Sequence, residues 1–60
     1  MRRFNENNRV VVIKQGDRNY NKVGIITSVD QMIHTPVTIY NIKFDDGSKG
    51  YYFFSEINHI

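Results

Sequence analysis

TIYNIKFDDGSKGYYFF, residues 38–54, decides the fold, because it reads as two β-strands joined at Asp46-Gly47. Tyr40, Ile42 and Phe44 recur at every second position and share one face of an extended chain, while Thr38, Asn41 and Lys43 supply the polar contrast. Asp-Gly between two β-rich runs is a strong short-range hairpin signal, since Gly accepts the positive φ that a tight turn needs. The four consecutive aromatics Tyr51 to Phe54 then put rings on both faces of the returning strand.

Upstream of the hairpin, Arg9 to Lys14 (RVVVIK) is a run of β-branched residues that predicts a first strand. Gln15 to Asn21 is a polar loop with one aromatic, Tyr20. Lys22 to Asp30 (KVGIITSVD) predicts a second strand with Val23, Ile25, Thr27 and Val29 on one face. Gly24 inside that pattern signals a bulge, a sharp bend or a close backbone approach. Gln31 to Pro36 is a second loop, in which the only proline keeps Thr35 extended. Downstream, residues 55–57 read as one helical turn and the last residues as a short closing strand. Residues 1–8 read as a flexible N-terminal arm rich in Asn, with Phe4 as its only anchor.

Sixty residues make one domain at most, and a chain this short buries only about 60 % of its unfolded surface. There is no Cys, so neither a disulfide nor a thiolate metal site can staple it. The core must come from Val, Ile, Phe and Tyr, which are also β-formers. A bent antiparallel sheet curled into a small barrel meets that constraint and removes most free edges. The expectation is a single five-stranded all-β barrel with strands near 9–14, 22–30, 37–45, 48–54 and 57–60. Its expected core is Val10, Val12, Val23, Ile25, Val29, Ile39 or Tyr40, Ile42, Phe44, Phe53 or Phe54, and Ile57. A one-residue slip in the first strand would exchange Val10/Val12 for Val11/Ile13.

Net charge is +2 but unevenly placed. Residues 1–22 carry six Lys or Arg against two acids, and residues 23–60 carry two against four. No apolar run approaches the roughly 20 residues of a membrane span, so no membrane insertion is expected. MRRFNENN has no apolar core of the kind a secretory signal needs. A cytoplasmic or organelle-interior location is the resulting expectation.

The order Val10, Val12, Ile13, Gly16, then Gly24, Ile26, Val29 resembles the KOW pattern of SH3-like small barrels. The second half, Tyr40, Ile42, Phe44, Asp46, Gly47 and later Glu56, Ile57, is similar to the Tudor-type hairpin of the same group. Together they cover residues 9 to 60 and imply an SH3-like barrel with a binding role. KOW segments carry Lys-Gly before the second strand, where this chain has Tyr20, Asn21 and Lys22; Asn21 would then adopt the left-handed conformation that Gly otherwise supplies. A weaker second resemblance is to the photosystem I PsaE-type subunit, through Val23 to Gln31 and Pro36 to Ile39. Where that family carries Asn-Asn-Phe-Ala, this chain has Tyr52-Phe53-Phe54-Ser55.

Two candidate surfaces follow. Arg9, Lys14, Arg18 and Lys22 flank the first loop with Tyr20 inside it, the combination that neutralises phosphates and stacks on a base. Arg2 and Arg3 would extend that patch. Met32 and Ile33 are apolar residues in a loop, and one of the pairs Tyr51/Phe53 and Tyr52/Phe54 must face outward; Met32, Ile33, Tyr51 and Tyr52 are the candidate protein-binding residues. The rings of Tyr40, Phe44 and residues 51–54 would line a Tudor-type cage for a methylated cation, or simply fill the core. His34 and His59 stand apart and read as surface residues, and Asp45 and Asp46 as turn-formers at the hairpin tip. No nucleophile–base arrangement, phosphate-cradling loop or metal spacing occurs. The expectation is a non-enzymatic module without cofactor or metal that docks on a protein partner, as an accessory subunit or regulator. The alternative is a KOW-like RNA- or DNA-binding module using the basic first-loop face, and a further alternative, implied by the second resemblance, is a PsaE-like photosystem subunit.

Overall fold

The computed structural model describes residues 4–60. Five antiparallel strands, β1 (Arg9–Val12), β2 (Val23–Gln31), β3 (Thr38–Phe44), β4 (Lys49–Tyr52) and β5 (Ile57–His59), form one sheet in the order β4-β3-β2-β1-β5. A 3-10 turn over Phe54–Glu56 links β4 to β5. The sheet curls over one core as a small barrel-like fold, open between its two edge strands β4 and β5. Each strand lies within two residues of its expected limits, and all are shorter than or equal to the predicted runs.

The hairpin forms as its turn chemistry requires. Gly47 sits at φ 90°, its N–H donates to the Phe44 carbonyl at 2.9 Å, and the Phe44 N–H donates to Ser48 at 2.8 Å. Asn21 sits at φ 68°, where one residue of β1 faces two: Val12 accepts from the Asn21 N–H at 2.9 Å and donates to the Lys22 carbonyl at 3.1 Å. That is a bulge with its first residue left-handed, the role assigned to Asn21 from sequence.

The core is Phe4, Val10, Val12, Ile26, Tyr40, Ile42, Phe44, Tyr52 and Ile57, with Val29 packed against it. Val10 and Val12 face inward, and between Ile39 and Tyr40 it is Tyr40 that is buried. Three expectations are corrected. In β2 the inward residues before the bulge are Gly24 and Ile26, not Val23 and Ile25. The pairing with β3 slips between Ile26 and Ser28, so Thr27 is the extra residue. Unbroken alternation counted back from Val29 therefore lands on the wrong face. Gly24 is required there: a Cβ would stand 2.6 Å from Ile42 Cγ2 and 2.7 Å from the Lys43 carbonyl oxygen.

The second correction concerns the aromatic run. Tyr52 fills the core and Phe53 and Phe54 are exposed, because β4 ends at Tyr52 and the 3-10 turn breaks the alternation. The third concerns the N-terminus. Residues 4–8 are tethered to the sheet, with Asn5 to Asn7 exposed and Phe4 acting as the anchor that the sequence offers: Phe4 is buried, edge-on to Tyr40 with centroids 5.4 Å apart and tilted against His59 at 4.4 Å. The Asn7 N–H donates to the Ile26 carbonyl at 2.7 Å and the Ile26 N–H to Asn8 at 3.0 Å, extending the pairing with β2. Asn7, at φ 72°, turns the chain so that Phe4 returns to the core.

Candidate binding surfaces

The first loop is held by a buried phenol. Tyr52 Oη donates to Asp17 Oδ2 at 2.7 Å and accepts from Asn19 Nδ2 at 2.9 Å, while the Asn19 N–H donates to the same Asp17 oxygen at 3.0 Å. Asn19 is only 7 % exposed, so these bonds decide whether its amide is satisfied. The Tyr52 hydroxyl, followed by the Asn19 N–H, holds the Asp17 carboxyl below the usual carboxylate range. Burial, with the Asp17 hydrogen bond second, pushes the Tyr52 phenol up. Tyr52 is thus a buried strut between β4 and the loop and contributes no contact surface, contrary to its sequence assignment.

Most cations of the expected nucleic-acid face are matched by acids. Lys22 Nζ lies 2.8 Å from Asp46 Oδ2, Lys14 Nζ 3.2 Å from Glu56, and Arg9 4.0 Å from Asp45. The Lys22 ammonium, followed by the Ser48 hydroxyl and N–H, holds the Asp46 carboxyl well below its ordinary range. Folding therefore interleaves the basic first third of the sequence with the acidic remainder. Arg18 forms no ion pair among the described residues, and Tyr20, two residues further along the loop, is partly exposed. Arg18, Asn19, Lys22, Asp46, Ser48 and Lys49 line a polar recess of about 230 Å³. Arg2 and Arg3 lie outside the described residues.

The exposed apolar residues gather elsewhere. Tyr51 is 72 % exposed on the outer face of β4, and Phe54 57 % exposed just beyond it. Phe53 and Phe54 stand beside Pro36, Val37 and Thr38 around a groove of about 270 Å³. The turn that presents them is capped: Glu56 Oε1 accepts from the Phe53 N–H at 2.9 Å, and the Glu56 N–H donates to the Phe53 carbonyl at 2.9 Å. Ile33 is 92 % exposed and Met32 half-exposed in the loop closed by the Met32 N–H to Val37 carbonyl bond. A Tudor-type cage does not form from the expected rings, because Tyr40, Phe44 and Tyr52 are buried in the core. His34 is exposed, and His59 rests on Phe4. Among the described residues no group of His, Asp or Glu is placed to hold a metal ion.

Sequence reasoning assigned Tyr51, Met32 and Ile33 to the surface but missed Phe53, Phe54, Pro36 and Val37 as a unit. The available signal was Glu56, three residues after Phe53, which caps a turn and ends the strand. Comparison with protein-family models, curated proteins and solved structures finds no match for this chain.

Proposed function

We propose that this chain is a non-enzymatic SH3-like binding module that docks on a protein partner, as an accessory subunit or regulator of a larger assembly. The observation that carries this reading is the pair Phe53 and Phe54, held outward by a capped turn beside Pro36 and Val37. Two phenyl rings left in water at the edge of so small a domain forgo burial energy that the core could have used. The ion pairing of Lys14 and Lys22 argues in the same direction, because it leaves the first loop little free positive charge.

The test is affinity capture from the native host with the full chain and with Phe53→Ser/Phe54→Ser. A partner retained by the first and lost by the second supports docking. A monomer that retains nothing, or a partner retained equally by both, opposes it. The KOW-like alternative rests on Arg18, which lines the polar recess, and on the exposed Tyr20 of the same loop, and predicts salt-sensitive RNA or DNA binding abolished by Arg18→Glu with Lys22→Glu.

A further inference from the structure

The register of β4 specifies what kind of chain can dock along its edge. Phe44 and Ser48 form a hydrogen-bonded pair, and by antiparallel alternation so do Ile42/Gly50 and Tyr40/Tyr52. The N–H and C=O groups of Lys49 and Tyr51 therefore point away from β3, along the free edge of the sheet. Among the described residues these four groups have no backbone partner within the chain. The edge ends at Phe53, whose own N–H and C=O are taken by Glu56.

Lys43 and Lys49 face each other directly across β3 and β4 as a non-hydrogen-bonded pair, the closer of the two side-chain spacings. Like charges placed so are mutually destabilising. No carboxylate among the described residues pairs with either amine. Tyr51 lies next on the same outer face, two residues along.

We infer that β4 is a docking edge for an extended, acidic strand of a partner protein, which adds to the sheet beside Lys49–Tyr51. An Asp or Glu of that strand lies against Lys49 and Lys43, and an apolar residue further along meets the rings of Phe53 and Phe54. This rests on the protein-docking reading above and names the occupant of the same edge. Main-chain hydrogen bonds supply the affinity and alternate side chains the selectivity. A second copy is the poorer occupant: a two-fold axis through Gly50 would gather the Lys43 and Lys49 amines of both chains. A nucleic acid would neutralise the amines but leave the four backbone groups unmet.

The test selects random extended peptides on the full chain and maps each selected peptide by amide shifts. Expected are acidic peptides with an apolar residue further along the chain, shifting residues 49–54, with affinity reduced about tenfold by Lys49→Glu. N-methylation of peptide amides at alternate positions removes binding in one phase and spares it in the other. Tyr51→Pro deletes only an outward N–H and the ring, so it leaves the β3 pairing intact and weakens binding more than Tyr51→Ala. Peptides that bind at Phe53 and Phe54 but tolerate both N-methylated phases overturn strand addition while leaving docking in place. Absence of any enriched peptide, selection of basic ones, concentration-dependent self-association through β4, or shifts at 49–51 with oligothymidine alone also overturns it.

Discussion

Replacing Tyr52 with Phe removes one oxygen and tests the strut between β4 and the first loop. The ring stays, so the core contacts with Phe44, at 6.2 Å between centroids, are retained. What is lost is the acceptor for Asn19 Nδ2 and the donor to Asp17 Oδ2. Asp17 reaches water and can be rehydrated, but the Asn19 amide is 7 % exposed and is left buried without a partner. Leaving a buried donor unsatisfied costs about 1–3 kcal/mol. Taking about 2 kcal/mol, with an unfolding entropy of about 0.13 kcal/mol/K for a chain of this length, Tm falls by roughly 15 °C. The assay is thermal unfolding followed by circular dichroism at neutral pH. Tyr52→Phe/Asn19→Ala should be less destabilised than the two single changes added together, because the second change removes the orphaned donor. A Tm shift below about 4 °C, or strict additivity, would refute the strut.

Acid should destabilise the fold through Asp17 and Asp46. Both carboxyls are held below their ordinary range in the folded chain, so their contribution is present above about pH 4 and is lost as pH falls below it. Urea midpoints measured from about pH 5 down to about pH 2 should decline, and Asp17→Asn/Asp46→Asn should start lower and decline less. Gly24→Ala should cost about 1–3 kcal/mol, since its methyl meets the Lys43 carbonyl oxygen; a lower urea midpoint at unchanged slope is the expected result. Phe4→Ala should remove about 3–5 kcal/mol, a large part of the margin of so small a domain, and leave no cooperative thermal transition. A variant that melts like the parent would show that Phe4 does not close the core.

The parts of the fold legible in sequence were those with a local cause. Gly47 and Asn21 mark positive φ, Gly24 marks a close approach, and Tyr40, Ile42 and Phe44 share a face by simple alternation. The parts that were not legible depend on contacts made at a distance. The bulge at Thr27 carries no Gly or Pro, so the slip that turns Ile26 inward leaves no mark on the residues around it. Phe4 stands out as the one anchor of an Asn-rich segment, but its partners Tyr40 and His59 are both remote in sequence and nothing local points to them. Tyr52 was displaced from the candidate surface for a similar reason. Its hydroxyl has partners only after the loop holding Asp17 and Asn19 folds back, and without them a phenyl ring is the better core residue. The ion pairs of Lys14 and Lys22 likewise join residues far apart in the chain, which is why a basic run in sequence became a neutralised rim in space.

The most direct test of the docking edge is the amide-shift map of the full chain bound to the partner captured from its host, at low and high salt. The account predicts shifts centred on residues 49–54 and 36–38, persisting at high salt because apolar burial and main-chain bonds dominate. Shifts confined to residues 14–22 that vanish as salt rises would contradict it and assign the first loop as the binding face.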